Sequence, residues 1–193
     1  VCHVEGPGLK LYENTGAAFR DVSASSGVAR QAFAYSAVAG DVDGDGLLDV
    51  YVACYNAFGR VAPSSWTAAD NGTPNLLFRN LGQGRFEECA AARGVADQRW
   101  SYAALLADLD QDGDVDLVVA NDYGEKGLYV NDGRGRFTGE AARRGASDPG
   151  NGMGVDCGDV DGDGQLDLYF MNMSSTAGNR ILKRLFPGVT GAE

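Results

Sequence analysis

The apolar residues of this chain come in short runs rather than long amphipathic stretches. Ser101 to Ala107 and Leu117 to Ala120 are Val- and Leu-rich segments on either side of an Asp-rich loop. Their length suits strands and leaves no room for helices. Leu76 to Arg79 and Arg85 to Cys89 frame Asn80–Gly84, where Asn and Gly supply the positive φ angles of a tight hairpin turn. Similar reasoning places inner strands near 154–158 and 167–172 and an outer hairpin over 9–23. The Ala-rich stretch EECAAARG predicts at most one helical turn.

The runs repeat. Asp loops begin at Asp41, Asp108 and Asp159, separated by 67 and 51 residues. A second motif keeps step: LYENTGAAF (11–19), LFRNLGQGRF (77–86) and LYVNDGRGRF (128–137), each followed by a short stretch ending at Gly27, Gly94 or Gly145. From Tyr12, Phe78 and Tyr129 to the next loop aspartate the distances are 29, 30 and 30 residues. A further copy begins at NRILKRLF (179–186). The expected organisation is one repeat domain over 1–193, with repeats near 9–56, 76–124 and 127–175 and a partial one over 179–193. Four strands in roughly 50 residues is the size of a propeller blade. The predicted fold is therefore all-β, with about three four-stranded blades plus partial repeats.

In the first loop, Asp41, Asp43 and Asp45 alternate, Gly46 permits a sharp bend, the Leu47 carbonyl adds an oxygen and Asp49 closes the set. The counterparts are Asp108, Asp110, Asp112, Asp114 and Asp116, then Asp159, Asp161, Asp163, Gln165 and Asp167; position 7 contributes only its carbonyl. This many hard oxygen donors suits calcium and not zinc or copper, so three Ca²⁺ sites are expected. An EF-hand needs a bidentate Glu at position 12. Val52, Val119 and Phe170 stand there instead, so the motif is a nine-residue turn between strands. Leu48, Val115 and Leu166 at position 8 are expected to pin the loops to the core.

Charge changes the picture in one respect. The net charge is −11, and removing the twelve aspartates at the repeating positions would leave +1, so the acidity is concentrated in three loops. Lys and Arg are too few for a nucleic-acid surface, and no apolar run is long enough for a membrane span; a soluble protein is expected. Glycine, 28 of 193 residues, fits many turns. No charged-then-apolar leader precedes Val1, so any secretion signal is expected to lie outside this sequence. Cys2, Cys54, Cys89 and Cys157 have no zinc spacing and allow three disulfide connectivities or burial as thiols; His3 is the sole histidine.

DVDGDGLLDVYVA and its counterparts resemble the FG-GAP or VCBS-type repeats of integrin α-subunit propellers. Combined with LFRNLGQGRF, they resemble more closely the repeats of the ASPIC/UnbV and cartilage acidic protein family, over residues 9 to about 186. The resemblance implies calcium on one face of a propeller, held by Asp41, Asp43, Asp45, Asp49 and their equivalents. Family propellers usually have seven blades, so three units form an arc, a fragment, or half of a ring completed by a homodimer.

The expected function is a calcium-stabilised extracellular module for protein or glycan binding and adhesion, secreted, periplasmic or on the cell surface. An alternative is a propeller lyase or hydrolase acting on carbohydrate. That reading requires a convergent acid–base set, and the sequence offers only scattered carboxylates outside the loops: Glu87, Glu88, Asp122 and Glu125. No enzyme is expected. A calcium sensor would need a bistable helix pair, which β-hairpins do not supply. Tyr12, Phe78, Tyr129, Phe19, Phe86 and Phe137 are expected between blades and Trp100 in the core. The insert over 57–75, anchored by Trp66, reads as a variable loop.

Overall fold

Each Asp loop ends one strand and starts the next, and each Asn/Gly turn folds a second hairpin back beside the first. In the computed structural model, which describes residues 8–57 and 61–173, this produces two complete four-stranded antiparallel sheets. The first contains β3 (Ala34–Gly40), β4 (Asp49–Cys54), β5 (Leu76–Asn80) and β6 (Phe86–Glu88) in chain order. The second contains β7 (Ser101–Ala107), β8 (Asp116–Asn121), β9 (Gly127–Asn131) and β10 (Phe137–Gly139). An outer hairpin, β1 (Tyr12–Asn14) with β2 (Phe19–Asp21), precedes them, and an inner pair, β11 (Gly152–Gly158) with β12 (Asp167–Asn172), follows. The all-β architecture of propeller-like blades is thus present. The repeat at 179–193, Cys2 and His3 lie outside the described residues.

The middle strands are buried on both faces, which is why they read as continuous apolar runs rather than alternating ones. Tyr51 and Leu77 turn toward the second sheet and meet Leu117, Val119, Tyr129 and Phe137 in one core. Val52, Leu76 and Phe78 turn the other way, onto Leu9 and Val28. Inner strand β3 packs beside β7, and β7 beside β11. Each inner strand carries a register shift near its start, between Ala34 and Ser36, between Ser101 and Ala103, and between Gly152 and Gly154. The irregularity lies at the strand ends opposite the Asp loops.

Two expectations need correction. Phe78, Tyr129 and Phe137 are buried between sheets, but Tyr12 is 43 % and Phe19 71 % exposed, because among the described residues no inner strand pairs with β1. Position 8 does not pin the loops uniformly. Leu48 is 60 % exposed and Leu166 is exposed as well, while only Val115 packs against the core. In loop 1 that role falls to Val42 at position 2, which enters the core. Trp100 is buried, as expected, and its indole N–H donates to Asn71 Oδ1 at 2.9 Å.

After each outer hairpin the chain makes a single turn: α1 (Ser23–Ser26), α2 (Ala90–Arg93) and a corresponding turn ending at Gly145. Gly27 and Gly94 close the two helical turns in the left-handed region. A Cβ on Gly94 would lie 2.7 Å from the Phe137 carbonyl oxygen, and one on Gly27 2.6 Å from that of Phe86. The glycine therefore sets how closely consecutive sheets approach. Gly145 has φ +73° but no atom within 4 Å of its virtual Cβ. Gly145→Ala should cost about 1–2 kcal/mol from left-handed strain alone. Gly94→Ala adds the backbone clash, about 1–3 kcal/mol more. Urea melts of the two variants check the ranking, and equal losses would refute this account of Gly94.

Candidate metal centres

Position 1 of each Asp loop organises the turn. Asp41 Oδ1 accepts the N–H groups of Gly44 and Asp45 at 2.9 and 3.2 Å, and its Oδ2 that of Gly46 at 2.8 Å. Asp108 accepts from Asp112 and Gly113, both at 3.1 Å. Asp159 accepts from Gly162, Asp163 and Gly164. Such nests need left-handed residues, and both position 4 and position 6 supply them: Gly44 and Gly46, Gly162 and Gly164, and in loop 2 Gln111 (φ 61°) with Gly113. The position 4 requirement was missed from sequence, although two of the three loops carry glycine there.

With the turn formed, the side chains converge. Carboxylate oxygens of Asp41, Asp43 and Asp45 lie within 4.8 Å of one another, as do those of Asp108, Asp110 and Asp112, and those of Asp159, Asp161 and Asp167. Asp49 and Asp116, at position 9, stand outside these trios and tie strands together. Asp49 Oδ2 accepts the Val42 N–H at 3.0 Å and Oδ1 the Asn80 N–H at 2.7 Å. Asp116 does the same with Leu109 and Asn131, at 3.3 and 2.9 Å. Both are fully buried, and burial raises their carboxyl pKa values despite the backbone donors. Asp167 accepts the equivalent Val160 N–H at 3.0 Å yet also belongs to its trio. Asp163 lies outside that trio, its Oδ1 accepting the Gln165 N–H at 2.8 Å. The N–H groups of Leu47 and Asp114 are held in the same way by Asp45 and Asp112.

The donor set fits a hard dication. Three carboxylates crowded this closely repel one another unless positive charge lies between them. Of the four buried side-chain oxygens that have no hydrogen-bond partner among the described residues, two, Asp43 Oδ1 and Asp114 Oδ1, belong to Asp loops, a condition that native interiors rarely leave uncompensated. Asp114 is pushed up to about 6 by burial and then by its neighbour Asp112. All ligand candidates are oxygens, and among the described residues no histidine or thiol joins a trio, which favours calcium chemistry over zinc.

Arginines meet the loops from outside. Arg79 Nε lies 2.6 Å from Asp43 Oδ2, and Arg93 approaches the same oxygen at 3.6 Å. Arg144, at the position matching Arg93 in the next repeat, lies 2.7 Å from Asp110 Oδ2. The carboxylates weighed for acid–base chemistry do not form one set. Glu87 and Glu88 belong to β6, with Glu88 paired to Arg30 at 3.0 Å. Asp122 follows β8, is buried, and accepts the Tyr55 hydroxyl at 2.5 Å. It lies among Tyr55, Trp100 and Tyr123 at the strand ends opposite the Asp loops. Trp66 of the insert packs edge-on to Tyr123 at 5.4 Å. Cys89 and Cys157 are free thiols.

Residues 65–119 and 108–170 each match the FG-GAP-like repeat. Cartilage acidic protein 1 of Mus musculus is 31 % identical over 172 residues, 86 % of this chain and 24 % of that protein. The Homo sapiens protein of the same name is also 31 % identical over 172 residues, 23 % of its length. That of Xenopus tropicalis is 33 % identical over 120 residues, covering 59 % of this chain and 18 % of its own. The chain thus spans about a quarter of the length of the mouse and human relatives. The two matches together cover residues 65–170, more than half of the chain and two of its three Asp turns, and place this chain in the FG-GAP-like repeat family.

Proposed function

We propose that this chain is a calcium-stabilised extracellular β-propeller module whose three Asp loops hold structural Ca²⁺ and whose remaining loops serve protein or glycan binding. The observation that carries this reading is that each of the three inner hairpins gathers a carboxylate trio, from positions 1, 3 and 5 in loops 1 and 2 and from positions 1, 3 and 9 in loop 3. In loop 1 the ligands are Asp41, Asp43 and Asp45 with the Leu47 carbonyl, and Asp49 clamps the loop to its sheet. Asp108, Asp110, Asp112 and Asp116 repeat this in loop 2, with the position 7 carbonyl from Asp114. In loop 3 Asp159, Asp161 and Asp167 form the trio, and Asp163 and the Gln165 carbonyl complete the expected set. A bound dication supplies the charge that lets the carboxylates stay close. The chain's own residues preform the turn, orient the oxygens and join loops 1 and 2 to the neighbouring strand.

Extracellular modules bind calcium with Kd on the order of 10⁻⁴–10⁻³ M, and the relatives carry the name cartilage acidic protein. These two points support a secreted or cell-surface setting. Calorimetric titration of metal-stripped protein with CaCl₂ tests the reading. Three sites are expected, and Asp41→Asn, Asp108→Asn and Asp159→Asn should each remove one. A chain that takes up no calcium at millimolar concentration overturns it.

A further inference from the structure

Resting on the calcium reading, we infer that Arg93 and Arg144, with Arg79, are built-in counter-ions that lower the calcium affinity of loops 1 and 2 and hold those loops together when calcium is scarce. Arg93 and Arg144 occupy the same place in successive repeats, each directly before the glycine that ends the turn after the outer hairpin. Each reaches the position 3 aspartate of the Asp loop in its own sheet, Asp43 and Asp110 respectively. Both are tethered by a second contact. Arg93 Nη1 donates to the Arg134 carbonyl oxygen of the adjoining sheet, and Arg144 Nε lies 3.8 Å from Glu140 Oε2. Arg79 adds a further cation in loop 1, bridging Asp43 and Asp45 at 2.6 and 3.5 Å.

The geometry divides the position 3 carboxylate between two cations. Asp43 Oδ2 is taken by the guanidinium groups, and Asp43 Oδ1 is buried without a partner. An ion in the trio therefore shares its ligand with arginine. The shared carboxylate is a weaker donor, and the nearby positive charge repels a dication. Ligand charge is one of the two quantities that tune calcium affinity in oxygen sites. Loop 1 sets four carboxylates against two guanidinium groups, leaving two net negative charges. Loop 2 sets five against one, leaving four. Loop 1 is accordingly the weaker site of the two. Without calcium the order of benefit reverses, because the arginines relieve carboxylate repulsion that the ion would otherwise neutralise.

A unit positive charge about 6 Å from a dication in a water-like dielectric weakens binding roughly tenfold. Arg93→Gln should therefore tighten loop 1 by roughly that factor and leave loop 2 unchanged, and Arg144→Gln should do the reverse. Calorimetric titration of the full chain reads the affinities, with Asp41→Asn and Asp108→Asn backgrounds assigning each site. Melting in EDTA supplies the second readout: both variants should melt below the unsubstituted chain, although they bind calcium more tightly. Arg93→Lys, which keeps the charge without the planar fork, should return affinity toward the original value and guards against a packing defect in the glutamine variant. Unchanged or weakened calcium affinity in both glutamine variants, while the unsubstituted chain binds normally, overturns this inference alone. Absence of calcium binding in every variant overturns both this inference and the function it rests on.

Discussion

Relative to protein held in calcium at a hundredfold excess over Kd, stripping the ion with EDTA should lower the melting temperature of this chain by roughly 15–30 °C, the largest single effect expected of it. A ligand that binds only the folded state adds RT ln(1 + [L]/Kd), about 2.7 kcal/mol per site at a hundredfold excess over Kd. Three loops acting alike contribute about three times that. For a chain of this size each kcal/mol moves the midpoint by about 2–4 °C. The proposed ion sites would be coupled to the fold through hydrogen bonds that the loops make. Position 9 of each loop joins it to its own sheet through backbone N–H groups, and in loop 1 the Asn131 side chain of the second sheet also donates to the Val42 carbonyl at 2.8 Å. Gln111 of loop 2 likewise donates to the Gly164 carbonyl of loop 3. Loosening one loop therefore loosens contacts between sheets. Scanning calorimetry with calcium, with EDTA, and with EDTA followed by excess calcium measures the effect and its reversal. Magnesium, which demands smaller octahedral geometry and gives up water reluctantly, should restore much less. A midpoint that ignores EDTA would show that the ions do not support the fold.

Much of this architecture was legible in the sequence, and the reason is local chemistry. Strand lengths followed from apolar runs bounded by Asp and Gly, and the register of the loops followed from three copies of one spacing. The nest at position 1 is likewise local, since every donor to Asp41 lies within five residues. Errors arose where the outcome depended on what comes to lie opposite. Leu48 has the same character as Val115, yet only Val115 meets a core, because the second sheet's neighbours reach it. Tyr12 and Phe19 match Phe78 and Phe86 in motif but lack the inner strands that would cover them among the described residues.

The arginines illustrate a signal that was present but not read. Arg93 and Arg144 stand before equivalent glycines, so their recurrence was visible, but nothing in the spacing says that they fold back onto Asp43 and Asp110. Buried polar connections were less accessible still. Asn75 Nδ2 donates to the Tyr51 hydroxyl at 2.8 Å and to Ser101 Oγ at 2.6 Å, and Ser101 Oγ donates to Asn121 Oδ1 at 2.7 Å. Each partner lies 20 or more residues away in the chain. Asparagine before a strand or at its end reads as turn chemistry; only the assembled sheets turn it into an internal bridge.

That bridge ends at Asp97, and Asp97→Ala should cost about 3–5 kcal/mol, the usual penalty for breaking a buried charge pair from one side. Asp97 is buried between the sheets. Its oxygens receive Arg99 Nε at 2.9 and 3.1 Å and Arg99 Nη2 at 2.6 Å, the Tyr129 hydroxyl at 2.7 Å and Asn121 Nδ2 at 3.2 Å. Alanine leaves these donors facing a space they cannot fill, whereas Asp97→Asn keeps the shape and loses the charge, so it should cost less. Burial alone would push the Asp97 carboxyl up, but the Arg99 guanidinium and the Tyr129 hydroxyl outweigh it and hold the pKa below the ordinary carboxylate value. A group depressed in the folded state stabilises fully above its unfolded pKa, near 3.9, and loses that contribution as pH falls through the folded value. The difference in stability between the parent chain and Asp97→Asn should therefore be constant near pH 7 and shrink below about pH 4. Urea melts across that range, at fixed calcium, measure it. A difference that grows on acidification would mean that Asp97 enters the fold as the neutral acid, and the paired-charge account of this junction would have to be abandoned.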